Sequence, residues 1–235
     1  MENKIRIVND FIEGNLELTV EELYVFSHLY TLRTFEEEVI SHIDTLNKVI
    51  KLSSSARYNK EKIRYALTTL QEYGIINLKE ENKSLFITFN EISGGYTFVP
   101  YDKVRELSPI EFFIYVAVAK WENPKKGTKA KYSYSKWAEL LDCDERTAVK
   151  YVNSAIEKGV IFKSVGSYNK KNSVKRKTKT YIMQEVNTYS IVPFTKPEVE
   201  EPKEFIEDVQ IEEPEYDYAD IDDFILKGLE ESGVI

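Results

Sequence analysis

Two stretches of this chain carry the same hydrophobic pattern. "LTVEELYVFSHLYTL" (18–32) and "LSPIEFFIYVAVAKW" (107–121) lie 89 residues apart, and each opens with Leu, then Thr or Ser, then an acidic first turn. That composition starts a core helix. Further along, "ALTTLQEYGII" and "YVNSAIEKGVI" repeat at an offset of 85, each ending a helical period at a glycine, Gly74 or Gly159. Glycine suits a helix C-terminus because it adopts the left-handed backbone freely. Shorter helical segments, "TLNKVIKLS" (45–53) and "SKWAELLD" (135–142), sit between these landmarks. Two strand-like runs follow each glycine: "IINLKE" and "LFITFN", then "VIFKSV" and "KTYIMQ". A repeat at a fixed period outweighs any single local reading. The chain is therefore expected to be mainly α with small β-hairpins, an α+β class. Its two halves fall at 1–95 and 96–192, with a separate segment at 193–235.

Within the longer helices Ile63, Ala66, Leu67 and Leu70 share one face, as do Ala148, Val152, Ala155 and Ile156. The opposite face of the first carries Asn59, Lys60, Lys62, Arg64 and Tyr65; that of the second carries Arg146, Thr147, Lys150 and Asn153. These polar faces are the first candidates for binding.

Charge sharpens the picture once it is divided. The net charge of −8 averages a tail, residues 196–235, with 15 acidic and 3 basic residues, and a body with 25 acidic and 29 basic. A mildly basic body with an acidic tail points to nucleic acid, or to a partner-binding tail. The stretch from Lys163 to Gln184 holds seven cations and no acid. A fold gains nothing by crowding like charges on one hairpin, and phosphate is their natural counter-charge. The corresponding turn of the first half, "KEENKS", is nearly neutral, so the second half is expected to supply most of the affinity. A loop around "WENPKKGTKAKYSYSKW" adds Lys120, Lys125, Lys126, Lys129, Lys131 and Lys136, either as backbone contacts or as plain exposed surface.

The long helices with "EYGII" and "EKGVI" resemble the third helix of a winged-helix domain, a helix-turn-helix with an added β-hairpin wing. The resemblance covers residues 17–90 and 105–186, so the halves look like tandem winged-helix domains. "SKWAELLDCDERTAVKYVNSAIEKGVI" is also similar to the helix-turn-helix module of phage and plasmid replication proteins from low-GC Gram-positive bacteria. In such a motif the second helix enters the major groove and its first turns meet base edges. The resemblance thus implies that Tyr58, Asn59, Lys60, Lys62 and Arg64, and likewise Arg146, Thr147, Lys150 and Asn153, face DNA. It places Lys170, Lys171, Lys175, Arg176, Lys177 and Lys179 on a wing that grips the backbone. The implied activity is sequence-specific binding of double-stranded DNA by a protein of a bacterial mobile element, a transcription regulator or a replication initiator. The alternative is a protein-interaction scaffold, since tandem winged helices with acidic tails also occur in chromosome-condensation and primosome components.

Enzymatic chemistry finds little support. None of the nine glycines builds a phosphate-binding loop of the GxxxxGK[ST] kind. His28 and His42 are 14 apart and Cys143 is remote from both, so no metal-ligand spacing exists and no cofactor is expected. His28 reads as a packed core residue. The longest apolar run, Phe112 to Ala119, is far short of the roughly 20 residues of a membrane span. With no secretory leader and a single cysteine, a soluble cytoplasmic protein is expected. The tail begins as a proline-rich acidic linker. At its end Ile221, Phe224, Ile225 and Leu229 recur at helical spacing, either to fold into a protein partner's groove or to pack back on the body.

Overall fold

The computed structural model describes residues 3–34, 37–123, 126–166, 168–176 and 179–194, with 168–176 and 179–184 described by their backbone. These residues form an α+β structure with seven α-helices and four small antiparallel sheets. The chain opens with strand β1 (Lys4–Val8) and then enters helix α1 (Val20–Leu32). A capping box starts α1: the Thr19 hydroxyl accepts from the Glu22 N–H, and the Thr19 N–H donates to the Glu22 carboxylate at 2.8 Å. Strand β2 (Glu38–His42), short helix α2 (Ile43–Val49) and long helix α3 (Ala56–Glu72) follow. The hairpin of β3 (Ile76–Glu81) and β4 (Ser84–Phe89) completes the half, with β2 pairing along the outer side of β4.

Strand β5 (Tyr96–Pro100) and short helix α4 (Tyr101–Glu106) lead to the second copy. There the order repeats: helix α5 (Pro109–Ala119), strand β6 (Ala130–Lys131), short helix α6 (Tyr134–Leu140) and long helix α7 (Glu145–Glu157). Helix α5 carries its own capping box, Ser108 with Glu111, and Pro109 in its first turn. Both long helices end at a glycine with positive φ, Gly74 at 67° and Gly159 at 69°. The N–H groups of Ile75 and Val160 reach back to Leu70 and Ala155, closing each helix as a Schellman turn.

The second hairpin departs from the expected pairing. "VIFKSV" and "KTYIMQ" are not partners. Strand β7 (Phe162–Ser164) pairs instead with β10 (Thr188–Ser190), and β6 adds to the other side of β10. Between them the chain runs out along β8 (Tyr168–Arg176) and back along β9 (Lys179–Gln184), a separate two-stranded sheet. The lysine-rich stretch between these two runs is itself a strand, because β9 supplies its backbone partners.

The core-facing helices α1 and α5 pack directly on each other, and each is buried almost all round. Such helices read as hydrophobic on every side because neighbours cover them on every side. Strand β1 pairs antiparallel with β5, so the start of the chain is tied to the connection between the halves. The Tyr24 hydroxyl donates to the Val104 and Leu107 carbonyls at 3.2 and 3.0 Å, fastening α1 to α4. One continuous core thus runs through both halves, within a unit spanning residues 1–195. Residues 196–235 form a second unit outside the described residues, and with it the expected tail helix of Ile221, Phe224, Ile225 and Leu229.

Candidate nucleic-acid interface

The polar face of α3 is largely committed to the protein itself. Asn59, expected from the sequence to face DNA, is instead buried at 1% exposure. Its Oδ1 accepts from the Leu52 and Ser53 N–H groups at 2.6 and 2.9 Å, and its Nδ2 donates to the Ile50 carbonyl at 2.7 Å and to Asn47 Oδ1 at 2.8 Å. The side chain locks the turn between α2 and α3. A buried, fully bonded amide has no edge to offer a base. Helical periodicity misplaced it because the long turn before α3 folds back over the first turn of the helix.

The cations on α3 all have acidic neighbours. Lys60 pairs with Asp44, Lys62 with Glu21 at 2.9 Å, Arg64 with Glu80 at 3.3 Å and Arg57 with Glu61 at 3.1 Å. The hydrogen bond from Lys60 holds the Asp44 carboxyl below its usual range. Exposed pairs of this kind are weak, about 0–1 kcal/mol, and could be exchanged for phosphate. They nevertheless leave the face without net charge. What α3 does present is aromatic: Tyr58 and Tyr65 are 63% and 71% exposed.

Helix α7 is wired differently. Asp144 caps it, accepting from the Thr147 N–H at 2.9 Å and from the Thr147 hydroxyl at 2.6 Å. Those bonds hold the Asp144 carboxyl below its usual range. The Thr147 hydroxyl proton is therefore spent on the cap rather than aimed outward, which leaves Thr147 a poor donor for a base. Arg146, Lys150 and Asn153 are exposed at i, i+4 and i+7, one face of the helix. Among the described residues Arg146 and Lys150 have no ion pair, unlike their counterparts on α3.

Aromatic packing joins α6, the helix packed against α7, to the base of the hairpin beyond. Trp137 of α6 is fully buried, its ring 4.7 Å from that of Tyr132 and 5.5 Å from that of Tyr189 on β10. The helical pair α6–α7 and the base of the second hairpin thus share one aromatic anchor. Lys170, Lys171, Lys175 and Arg176 lie on β8 and Lys179 on β9; Lys177 lies outside the described residues. Lys163, at the base, donates to the Tyr134 hydroxyl at 3.0 Å.

The basic loop resolves into structural ion pairs. Lys120 and Lys136 both reach Glu13, at 3.5 and 3.4 Å, and Lys129 reaches Glu122 at 2.7 Å. Glu13 also accepts from the Tyr132 hydroxyl at 3.1 Å and from the Trp121 indole at 3.2 Å. Burial would raise the Glu13 pKa, but these hydrogen bonds and the two lysines bring it below its usual range. Glu122 accepts from the Ile191 N–H and the Ser190 hydroxyl, both at 2.7 Å, and is likewise held low. Glu13 and Glu122 escaped the sequence reading because an acid in a loop gives no sign of partners as far away in the chain as Lys136 is from Glu13. Lys126 and Lys131 remain exposed; Lys125 lies outside the described residues.

His28 is 3% exposed, packs against the Tyr24 ring at 4.6 Å, and is held neutral by burial with a pKa lowered to about 4. It belongs to the core. Among the described residues no group of three or more His, Cys, Asp or Glu could hold a metal ion, and no helix is long and apolar enough to cross a membrane. In comparisons with known proteins, no family model matches the chain and no curated protein matches it.

Proposed function

We propose that this chain is a sequence-specific double-stranded DNA-binding protein of two winged-helix units in tandem, with the second unit carrying most of the binding. The observation that supports it is the face of α7. Arg146, Lys150 and Asn153 stand exposed on one side, and neither cation has an ion pair among the described residues. They lead through the shared aromatic anchor to a hairpin without acids. The major groove admits one helix, arginine reads guanine and asparagine reads adenine, so this face has the chemistry to specify a sequence. The repeated order of helix, strand, short helix, long helix and hairpin supports the winged-helix reading. So does the extra strand pairing on each second hairpin strand, β2 on β4 and β6 on β10. By resemblance its setting is the cytoplasm of a bacterium carrying a phage or plasmid, as a transcription regulator or replication initiator.

The test is a comparison of specific and random duplexes. Arg146→Ala and Lys150→Ala are each expected to weaken a selected site by about 1–3 kcal/mol where a bidentate base contact is lost, with a smaller effect on random DNA. Equal weakening on every sequence would mark the two residues as phosphate contacts. Removing residues 196–235, which carry a net charge of −12, is expected to keep or tighten DNA binding, since the deletion takes away only repulsion from phosphate. A gel shift with the truncated chain checks this, and loss of binding would show that the tail takes part in contact.

One observation favours a second reading, the protein-interaction scaffold. The α3 face combines neutralised charge with two exposed tyrosines, and tyrosine is enriched where proteins meet. In that reading the first unit holds a protein while the second holds DNA.

A further inference from the structure

The first half holds a cavity of about 340 Å³ that neither α3 nor α7 lines, where β1, the end of α1 and the exit of β4 meet. That is the small end of the range for pockets that take one small molecule. Its floor is aromatic. Phe26 and Tyr30 lie one helical turn apart on α1, and both meet the Phe89 ring edge to face, with centroids at 5.7 and 5.5 Å. Phe26 and Tyr30 are buried and Phe89 is half-buried.

The rim carries two arginines, each laid on a tyrosine. Side chains alternate along β1, so Arg6 shares a face with Val8, which stands opposite Tyr96 on β5. The Arg6 guanidinium covers the Tyr96 ring at 4.5 Å, and the Tyr96 hydroxyl donates to the Ile92 carbonyl, which fixes the ring. Arg33 ends α1 with an extended backbone and turns back over Tyr30 at 3.8 Å. A guanidinium held by its face keeps its N–H donors in plane and turned to its edges, a fork ready for two oxygens of one anion. Among the described residues Arg6 has no ion pair, and Arg33 has one, with the exposed Glu37 at 3.1 Å. An exposed pair of that kind is weak and yields to a doubly bonded anion.

The rim is not simply cationic. Asn90 and Glu91, just past β4, line the same mouth, so Glu37 and Glu91 balance the two arginines. A bare anion gains little from such a rim. A ligand gains from all of it when it brings an anion for the arginines, N–H donors for Asn90 and Glu91, and a planar ring between them. We propose that this cavity is a binding site for a single nucleoside monophosphate. Its phosphate lies on the edges of Arg6 and Arg33, its base packs over the aromatic floor, and the N–H edge of the base turns to Asn90 and Glu91. The outer face of a stacked guanidinium offers the base a further planar surface. Strand β1 pairs with β5, which leads into the second half, so a nucleotide held here braces the tie between the halves. The proposal stands apart from the DNA-binding reading, because no residue of α7 or of the β8–β9 hairpin lines the cavity.

The test is calorimetric titration of the full chain with AMP, GMP, CMP and UMP, beside the matching nucleosides and inorganic phosphate. At least one nucleotide is expected to bind with a single site, about tenfold or more tighter than its nucleoside and than phosphate alone. At ten times its Kd that nucleotide should raise the melting temperature by about 3–5 °C. Arg6→Gln and Arg33→Gln are each expected to weaken it by about tenfold or more, with circular dichroism unchanged. Arg6→Lys keeps the charge but loses the planar fork, so it should recover only part of the affinity, and it carries the test if Arg6→Gln fails to fold. Three results would overturn the proposal. One is no binding of any of these nucleotides at millimolar concentration. Another is phosphate or the nucleoside binding as tightly as the nucleotide. The third is a wild-type Kd in either folded arginine variant, which would put the nucleotide elsewhere on the protein.

Discussion

Neutralising Lys170, Lys171, Lys175 and Arg176 together is expected to lower DNA affinity at physiological salt by about 2–3 kcal/mol, on the order of a hundredfold. Each cation that meets a phosphate releases condensed counterions, so the slope of log affinity against log salt should shrink by roughly 0.9 per contact removed. Random and specific DNA should weaken in parallel, because backbone contacts carry no sequence information directly. The fold should survive, since the core lies elsewhere: Trp137 and Tyr189 are buried at the base of the hairpin. A salt titration of wild type and variant, with circular dichroism as the control for folding, decides the matter. An unchanged slope would make the ribbon solvated surface and move the scaffold reading ahead.

Asn59→Ala is expected to act on stability and not on recognition. The substitution orphans the N–H groups of Leu52 and Ser53 and the carbonyl of Ile50, in a turn that the amide now holds together. A buried polar group left unsatisfied costs about 1–3 kcal/mol, so a loss of about 3 kcal/mol is reasonable for the set. For a chain of this size that corresponds to a fall in melting temperature of roughly 6–12 °C. Below the transition the variant should keep the DNA preference of wild type. Lys60→Ala, one residue along, should leave the melting temperature close to that of wild type, because its pair with Asp44 lies in solvent. A melt that barely moves for Asn59→Ala, with altered base preference, would return Asn59 to the groove-facing set.

The contrast between these neighbours shows where sequence reasoning reached its limit. Signals spread over a few residues were legible. Thr19 with Glu22 and Ser108 with Glu111 form capping boxes where a hydroxyl residue precedes an acidic turn. Gly74 and Gly159 end their helices with positive φ, and Ile63, Ala66, Leu67 and Leu70 are buried on one face. Each of these follows from hydrogen bonds or periodicity within one or two helical turns. The exposed positions of Arg146, Lys150 and Asn153 were legible for the same reason.

Pairings between distant residues were not. Strand β1 meets β5 across some ninety positions, and neither run announces the other. Glu13 is bound by Lys120, Trp121, Tyr132 and Lys136, all in the second half. The basic loop therefore looked free in the sequence and proved to be internally paired in three of its lysines. Asn59 looked exposed by helical spacing until the turn closed over it. The second hairpin split into two ladders, β7 with β10 and β8 with β9, a pairing that neither strand-like run announced. Local backbone preferences act between neighbours and can be read in order along the chain. Which charges remain free to meet a ligand depends on what the folded chain places within a few ångströms of each, and no local pattern encodes that.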